Sequence, residues 1–353
     1  MQAHHLAARA AALAPPRAYG APPAAGTLRA EPEDFVVEEN LGFAPAGTGQ
    51  HVLLKVRKRD ANTQWVAREL ARIAGCRAAE VGYAGLKDRR ALAVQWFSVP
   101  RARGLPDLSQ ARGAGFEVLE AHAHTRKLPR GALAGNHFAV RIRAADGDGA
   151  RLAAALEPRL AQIRQRGVPN YFGPQRFGRE GANLDRCRAP LPSLAPQERG
   201  FVLSAARSVV FNAVLAARVE DGSWERLLPG ELANLDGRGS VFAVEEGDAS
   251  LESRCRRLEI HPTGPLCGEG DAGTRAVVRD LESRIARQFP QETALCAAAG
   301  MRPERRAVRL AVRDLSCACE QGAVLVRFRL ARGCFATALL RELIATAADA
   351  PDP

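Results

Sequence analysis

Alternating apolar and polar residues predict β-strands near both ends of the chain. Val52, Leu54 and Val56 alternate with residues that face the other way, and residues 34–38 have the composition of a short strand. A period of two places such residues on one face of a sheet. The alternation recurs over 138–142 and 324–330, and the apolar run 96–99 ends at Pro100. We therefore expect sheet-rich structure from two separated parts of the chain.

Helical spacing interrupts this strand pattern. Val66, Leu70 and Ile73 recur at helical intervals after Asn62 or Thr63, either of which would cap a helix that stops at Gly75. Residues 151–165 and 204–219 also have helical periodicity, and a further amphipathic helix is expected over 335–347. With the loops rich in Gly and Pro at 264–273, these patterns predict an α+β fold with a middle domain inserted into the first.

Length and charge agree with two domains and a polyanionic partner. The chain has 353 residues, more than one typical domain. Its formal charge of +11 favours nucleic acid, because cationic side chains that neutralise phosphates release counterions. The alternative is an arginine-rich composition without functional meaning. The stretch 1–25, rich in Ala and Pro, lacks the features of a signal peptide, so residues 1–27 are expected to form a loosely ordered lead-in.

Several other classes of site are disfavoured. Of the eight cysteines only Cys317 and Cys319 are close together, and the histidines do not cluster with them, so no metal site is expected. Scattered thiols fit the cytoplasm. No apolar run approaches the roughly 20 residues needed to cross a membrane. Phosphate-loop, dinucleotide-binding and nucleophile-elbow motifs are absent.

Residues 82–90 carry the strongest candidate chemistry. Gly82 and Gly85 suggest a tight loop, which presents Asp88 among Lys87 and two arginines. Neighbouring cations favour an ionised carboxylate, which a nucleophile or base acting on a nucleotide sugar requires. The alternative is a surface cluster of mutually compensating ion pairs.

Two further segments suit contacts with RNA. Asn136 and Phe138 lie two residues apart on a predicted strand and so share one face, where they could hydrogen-bond and stack on a flipped base. Phe138 as a simple core residue is the alternative. Residues 169–178 mix Tyr171, Arg176 and other aromatic and amide groups between glycines, a composition that fits RNA contact or a rigid interdomain loop equally well.

The order of these segments resembles one family closely. The similarity runs from residue 28 onward and covers nearly the whole chain. It lies in the motifs at 31–39, 49–51, 62–63, 82–89, 95–98, 126–128, 131–133, 135–136, 169–178, 204–208, 211–212, 335–337 and 340–343. Together they resemble the TruD pseudouridine synthases. The resemblance implies a pseudouridine synthase α+β catalytic fold in residues 28–161 and 311–353. It also implies an inserted family-specific α/β domain at 162–310, in a V-shaped two-domain arrangement.

The resemblance also implies roles for individual residues. Asp88 would be the catalytic carboxylate, Phe138 would stack on the target base, and Asn136 would hold Asp88 or the nucleotide. Other substrate-binding residues expected from the matched motifs and the loop compositions are Arg29, Lys87, Arg89, Gln95, Tyr171 and Arg176. No metal or cofactor is implied.

The chain departs from the family pattern at three positions. Arg29 takes the place of a usual lysine, which keeps the charge but replaces an ammonium with a planar fork. Gln50 and Ala93 replace a usual Glu and Thr, which weakens the expectation for hydrogen bonding near the site.

The expected activity is isomerisation of uridine to pseudouridine in tRNA, at position 13, with tRNA-Glu as the bacterial substrate. The expected partner is tRNA, with no membrane and no obligate protein partner, in the cytoplasm. A non-catalytic RNA-binding protein and a hydrolytic or metal-dependent RNA enzyme are the alternatives. The first has no need of an anion among phosphate ligands, and the second would require a carboxylate or histidine cluster.

Overall fold

Strand pairing in the computed structural model follows the alternation found in the sequence. The structure describes residues 9–10, 12–101, 106–245 and 247–345. The strands in these ranges are β1 (Ala24–Leu28), β2 (Phe35–Asn40), β3 (His51–Arg59), β4 (Gly82–Tyr83), β5 (Leu92–Pro100), β6 (Arg112–Gly113), β7 (Phe116–His124), β8 (Gly135–Ala144), β9 (Val168–Pro169), β10 (Leu232–Leu235), β11 (Val241–Ala243), β12 (Ile260–Leu266), β13 (Glu304–Ala307), β14 (Arg309–Leu310), β15 (Arg313–Glu320), β16 (Ala323–Ala331) and β17 (Ile344–Ala345). The α-helices whose bounds are fully described are α1 (Thr63–Ala74), α2 (Gly149–Arg166), α3 (Ala182–Asp185), α4 (Pro196–Glu220), α5 (Ala249–Arg256), α6 (Ala276–Ala286), α7 (Pro290–Ala298) and α8 (Ala336–Leu343).

The chain divides into two compact units, each built from separate stretches of sequence. The sheet unit comprises Ala24–Leu160, Arg313–Gly333 and Ala345. The helical unit comprises Ala161–Val312, Cys334–Ile344 and the described residues before Ala24. The boundary between Leu160 and Ala161 falls within α2.

These bounds differ from the predicted domains at the two ends of the chain. Residues 334–344, expected in the catalytic domain, belong to the helical unit, where Arg341 Nη1 donates to the carbonyl of Pro16 at 3.2 Å. The predicted lead-in, residues 1–27, lies partly outside the described residues, which exclude 1–8 and 11. Of its remainder, Ala12 is buried, Tyr19 Oη donates to the Gly167 carbonyl at 2.6 Å, and the last residues form β1. Long-range contacts of this kind leave no local pattern in the sequence.

A large mixed sheet forms the sheet unit. Its strand order is β15-β16-β8-β2-β5-β3-β7-β6, with β1 beside β8 and β4 beside β5. β2 and β5 pair in parallel, and the other pairs in this order are antiparallel. The central strands are therefore hydrogen-bonded on both edges, which makes them a rigid platform for side chains on either face.

Helix α1 covers one face of this sheet and confirms the predicted signals. Asn62 is the cap, since its Oδ1 accepts from the Gln64 amide at 2.8 Å, and Gly75 ends the helix at a φ of 66°. Val66 and Leu70 are fully buried in a core shared with β3 and β5. The helix expected over 335–347 ends earlier, at Leu343, because the chain turns extended at Ile344. Residues beyond 345 lie outside the described part.

Helix α4 forms the core of the helical unit. Val209, Phe211 and Val214 are among its buried residues, and they pack with the side chains of α7 and the segment before α3. Four strands, in the order β11-β10-β12-β13, form an antiparallel sheet in the same unit. Glu198–Glu220 is long and apolar enough to cross a membrane by length and composition, but most of it is buried within the protein. A buried core helix passes the same test, so this observation is weak evidence for a membrane segment.

Candidate active site

The loop between β4 and β5 presents Asp88 at the surface of the sheet unit. Its side chain is 36% exposed, and Oδ2 accepts a hydrogen bond from Arg29 Nη2 at 2.8 Å. Arg29 itself is only partly exposed. The carboxylate is therefore held in one orientation while part of its surface stays open to a substrate.

Two buried, hydrogen-bonded side chains fix the loop that precedes Asp88. Gln95 on β5 donates from Nε2 to the Gly85 carbonyl at 2.6 Å. Thr63, in the first turn of α1, donates from Oγ1 to Gln95 Oε1 at 3.0 Å and accepts from the Lys87 amide at 3.1 Å. Both side chains are buried, so neither bond competes with bulk water. Gln95, expected to bind substrate, thus holds the loop.

Lys87 forms an ion pair with Glu39, a fully buried carboxylate on β2. The second oxygen of Glu39 accepts from the Trp96 amide at 2.9 Å. The Lys87 ammonium, expected to face substrate, is therefore engaged inside the sheet unit. A buried ion pair is tolerated when further hydrogen bonds satisfy its polar atoms, and the Trp96 amide provides one.

Lys58 on β3 is completely buried beneath the same loop. Its Nζ donates to the carbonyls of Ala61 and Asp88, each at 2.8 Å. Burial lowers the pKa of Lys58 to about 8, against the opposing attraction of Asp88. Sequence analysis missed this residue, although a signal was present: Lys58 continues the apolar phase of Val52, Leu54 and Val56.

Stacked aromatic rings extend from Arg29 across the sheet. The Arg29 guanidinium lies 4.1 Å from the Phe35 ring centre, and the Phe35 ring meets Phe138 edge-on at 6.0 Å. Phe138 stacks on Phe328 of β16 at 5.0 Å. Arg29 has a φ of 57°, a left-handed conformation that costs an arginine energy and that neighbouring contacts must stabilise. The arrangement offers an aromatic surface next to the paired carboxylate.

Asn136 shares the face of Phe138, as the sequence predicts. The register of β8 sets Asn136 beside Glu39 of β2 and Leu330 of β16. Its Oδ1 is buried and accepts no hydrogen bond from any residue that the structure describes. Buried acceptors without a partner are rare in native proteins.

The remaining predicted residues are divided between the two units. Arg89 lies in the sheet unit, is largely exposed and approaches Asp60 at 3.4 Å. Tyr171 and Arg176 lie in the helical unit. Tyr171 is buried, with Arg341 5.1 Å from its ring centre, and Arg176 Nη1 donates to Ser204 Oγ at 2.7 Å. Burial raises the pKa of Tyr171 and lowers that of Arg176, which is still a cation at neutral pH.

This geometry suits covalent or proton-transfer chemistry on a nucleotide. An accessible carboxylate is oriented by a guanidinium, and aromatic and amide groups lie on the adjacent sheet face. Over the described ranges, no three His, Cys, Asp or Glu side chains lie together in a way that could hold a metal ion.

Known proteins resemble the chain over nearly its full length. The model of the family described as tRNA pseudouridine synthase D (TruD) matches residues 16–186 and 182–343. A tRNA pseudouridine synthase D of Nitrosococcus oceani is 44% identical over 339 residues, which cover 93% of this chain and 94% of that protein. The corresponding protein of Methylococcus capsulatus is 43% identical over 338 residues, with the same coverage.

A solved structure has the same fold. The crystal structure assigned as tRNA pseudouridine synthase D (TruD) of Methanosarcina mazei aligns with a TM-score of 0.69 at 21% identity, over 93% of this chain and 95% of that one. This confirms the predicted α+β pseudouridine synthase fold. On the family match and the full-length sequence similarity, the chain belongs to the TruD family of tRNA pseudouridine synthases.

Proposed function

We propose that this protein is an isomerase that converts uridine to pseudouridine in tRNA, with Asp88 as its catalytic carboxylate. Membership of the TruD family supports the reaction and the class of substrate. The observation that carries the role of Asp88 is its carboxylate, exposed on a loop fixed from several sides and oriented by Arg29 at 2.8 Å. Preorganised groups of this kind lower a barrier without rearrangement during the reaction.

The isomerisation exchanges one glycosidic bond for another. The C1′–N1 bond breaks and its electron pair leaves with the uracil. The uracil turns and rejoins C1′ through C5, then loses the C5 proton while N1 gains one. Asp88 would start this sequence by attacking C1′ or by taking the 2′-proton to give a glycal. No oxidant, reductant or water is consumed on either route.

Neighbouring residues would divide the remaining tasks. Arg29 would hold the Asp88 carboxylate at the sugar, and the Phe138 ring would stack on the extruded base. Asn136, which lies on the same strand face as Phe138, would help to hold Asp88 or the nucleotide. Arg89, exposed beside Asp88, would pair with a phosphate.

Tyr171 and Arg176 would act from the helical unit. Arg176 is a cation close to aromatic rings, a combination that suits contact with the RNA backbone and bases. Tyr171 is buried, so its contribution would come through the packing of the segment that carries Arg176.

Position 13 of tRNA, with tRNA-Glu as a bacterial substrate, is the site that we propose. The support for this position is the close resemblance of the chain's motifs to the family. A cytoplasmic location follows from the same substrate.

The test is pseudouridine mapping, by carbodiimide adduct and primer extension, on tRNA from cells that lack this protein. The deletion is complemented with wild type, with Asp88→Asn or with Asp314→Asn. Asp314 is a matched control because it is an aspartate of the same unit, 66% exposed, that also accepts from an arginine, Arg329, at 2.9 Å.

We expect the mark at position 13 to disappear on deletion and to return with wild type and Asp314→Asn but not with Asp88→Asn. Restoration by Asp88→Asn would exclude a catalytic role for this carboxylate. Pseudouridine that persists at position 13 in the deletion strain would exclude this position as the target of the protein. If pseudouridine is unchanged at every position of the tRNA, a non-catalytic RNA-binding protein would be favoured.

A further inference from the structure

Lys58 is fully buried, an environment that is energetically unfavourable for a lysine side chain. Taking an ammonium out of water is unfavourable unless charges and hydrogen bonds compensate, and lysine is almost never fully buried without a partner. In the described part of the chain, the hydrogen-bond acceptors of Lys58 Nζ are two backbone carbonyls rather than a carboxylate. Apolar neighbours on the same strand, such as Val56, show that a hydrophobic side chain fits this face.

The charges around Lys58 both oppose and support its protonation. Desolvation is the main cause that lowers its pKa, to about 8, and the Lys87 ammonium acts in the same direction. Asp88, Glu39 and Asp60 oppose the shift as anions. Lys58 is therefore an ammonium at neutral pH and becomes a neutral amine close to pH 8, well below the ordinary lysine value.

The hydrogen bonds and the ion pair that fix the loop between β4 and β5 attach to different residues of that loop. Gln95 holds the Gly85 carbonyl, and Thr63 and Glu39 hold the amide and the ammonium of Lys87. Lys58 bonds to Asp88 itself, through the backbone carbonyl, while Arg29 bonds to the Asp88 carboxylate. The other bond of Lys58 goes to the carbonyl of Ala61, the residue before the Asn62 cap of α1, so Lys58 links the Asp88 backbone to the start of this helix.

We propose that Lys58 is a positioning residue for the reaction, one that fixes the Asp88 backbone so that its carboxylate meets the sugar. This inference rests on the proposed function and deepens it. Arg29 orients the Asp88 carboxylate. The position of that carboxylate also depends on the Asp88 backbone, which must therefore be held in place. A charge-assisted bond to the carbonyl of Asp88 supplies that restraint, and such bonds are about twice as strong as neutral ones.

The experiment compares Lys58→Met with wild type on purified tRNA, with kcat, KM and tRNA affinity measured separately. Lys55→Met is the matched control: Lys55 lies on the same strand, and it pairs with Glu38 and Glu120 rather than with the loop. We expect Lys58→Met to lower kcat by about 10- to 100-fold, since displacement of a reacting group by about 1 Å costs up to that factor. Affinity for tRNA should change less than about threefold, and Lys55→Met should retain its kcat.

A kcat of folded Lys58→Met within about twofold of wild type would overturn the inference. So would an equal loss in Lys55→Met, since that would indicate general destabilisation. If wild type itself forms no pseudouridine in tRNA, the proposed function fails instead, so the two failures are distinguishable.

The wild-type protein provides a second test that does not depend on the folding of a variant. Lysines labelled with ¹³C at Cε report the titration of each ammonium by NMR. In the Lys58→Arg variant, if it folds, the guanidinium stays charged through the pH range in which Lys58 titrates. We expect kcat of wild type to fall as Lys58 titrates near pH 8, and Lys58→Arg to lack this step. A kcat that stays constant while Lys58 loses its proton would contradict the proposed positioning role of the Lys58 ammonium.

Discussion

At the scale of single residues, Asp34 has a structural role close to the candidate site. Its carboxylate is 1% exposed and accepts two hydrogen bonds from Arg143, each at 2.9 Å, and one from the Glu31 amide at 2.9 Å. Desolvation would raise the pKa of Asp34, but these bonds and the nearby arginine charges outweigh it and lower the pKa below its ordinary value. The ion pair anchors the turn that leads from Arg29 to β2.

Asp34→Asn should therefore destabilise the protein in a pH-dependent way. At neutral pH we expect a loss of about 1–3 kcal/mol in the free energy of unfolding, since a hydrogen bond to a charged group contributes about that much. The carboxylate stabilises the fold above its ordinary pKa, and this contribution disappears as pH falls through the lowered value. Denaturant unfolding at neutral and acidic pH checks this.

The control is Glu33→Gln. Glu33 lies in the same turn as Asp34 and forms an exposed ion pair with Arg59 of β3. This variant should stay close to wild type, because exposed ion pairs contribute little. A difference between Asp34→Asn and wild type that persists undiminished at acidic pH would contradict the proposed electrostatic origin.

At the scale of elements, the start of α1 links stability to the site. Asn62 caps the helix, and the next residue, Thr63, holds both Gln95 and the Lys87 amide. We expect Asn62→Ala to lower the free energy of unfolding by about 1 kcal/mol, the usual contribution of such a cap. Thermal or denaturant unfolding measures this loss.

The matched variant is Gln64→Ala, an exposed position in the same turn. It should leave stability nearly unchanged, because alanine favours the helix and the Gln64 side chain makes no hydrogen bond within the described ranges. Equal effects from the two substitutions would show that the cap contributes nothing.

Local signals explain which elements could be predicted from the sequence. The cap at Asn62, the stop at Gly75 and the alternation in β3, β8 and β16 all depend on neighbours within a few residues, and all are confirmed. The partners of the Asp88 loop are different. Lys58 and Glu39 reach it through strand register over 30 to 48 residues, which no local pattern encodes.

The residues of the 82–90 loop singled out Asp88, and the family resemblance assigned its role and the pseudouridine synthase fold, but neither separated residues that contact substrate from residues that support the loop. Gln95 and Lys87 were expected at the substrate and instead hold the loop from inside the sheet unit. The distinction depends on burial and on which atoms already have partners, and both are properties of the folded chain. The support that Glu39 and Thr63 give to the loop was missed for the same reason, although both residues lie in matched motifs.

At the scale of the whole molecule, the net charge of +11 should dominate affinity for tRNA. We expect the logarithm of the affinity to fall linearly with the logarithm of salt concentration, by about tenfold or more between 50 and 200 mM, because bound phosphates release counterions. Filter binding or fluorescence anisotropy over this range measures the slope. Asp88→Asn should give the same slope, since it leaves the cationic surface intact, and salt-independent binding would exclude a phosphate-dominated interaction.

The separation of β8 and β16 in sequence has a consequence during synthesis. The two strands pair residue by residue and bring Phe138 against Phe328, yet residues 145–322 lie between them. At typical rates of translation, the ribosome needs roughly 10–40 s to make that stretch. Through this interval the nascent sheet has an open edge at β8, the kind of edge that pairs with other chains. The aromatic surface beside Asp88 is thus completed only after translation has passed Phe328, so a nascent or truncated chain that ends earlier lacks it.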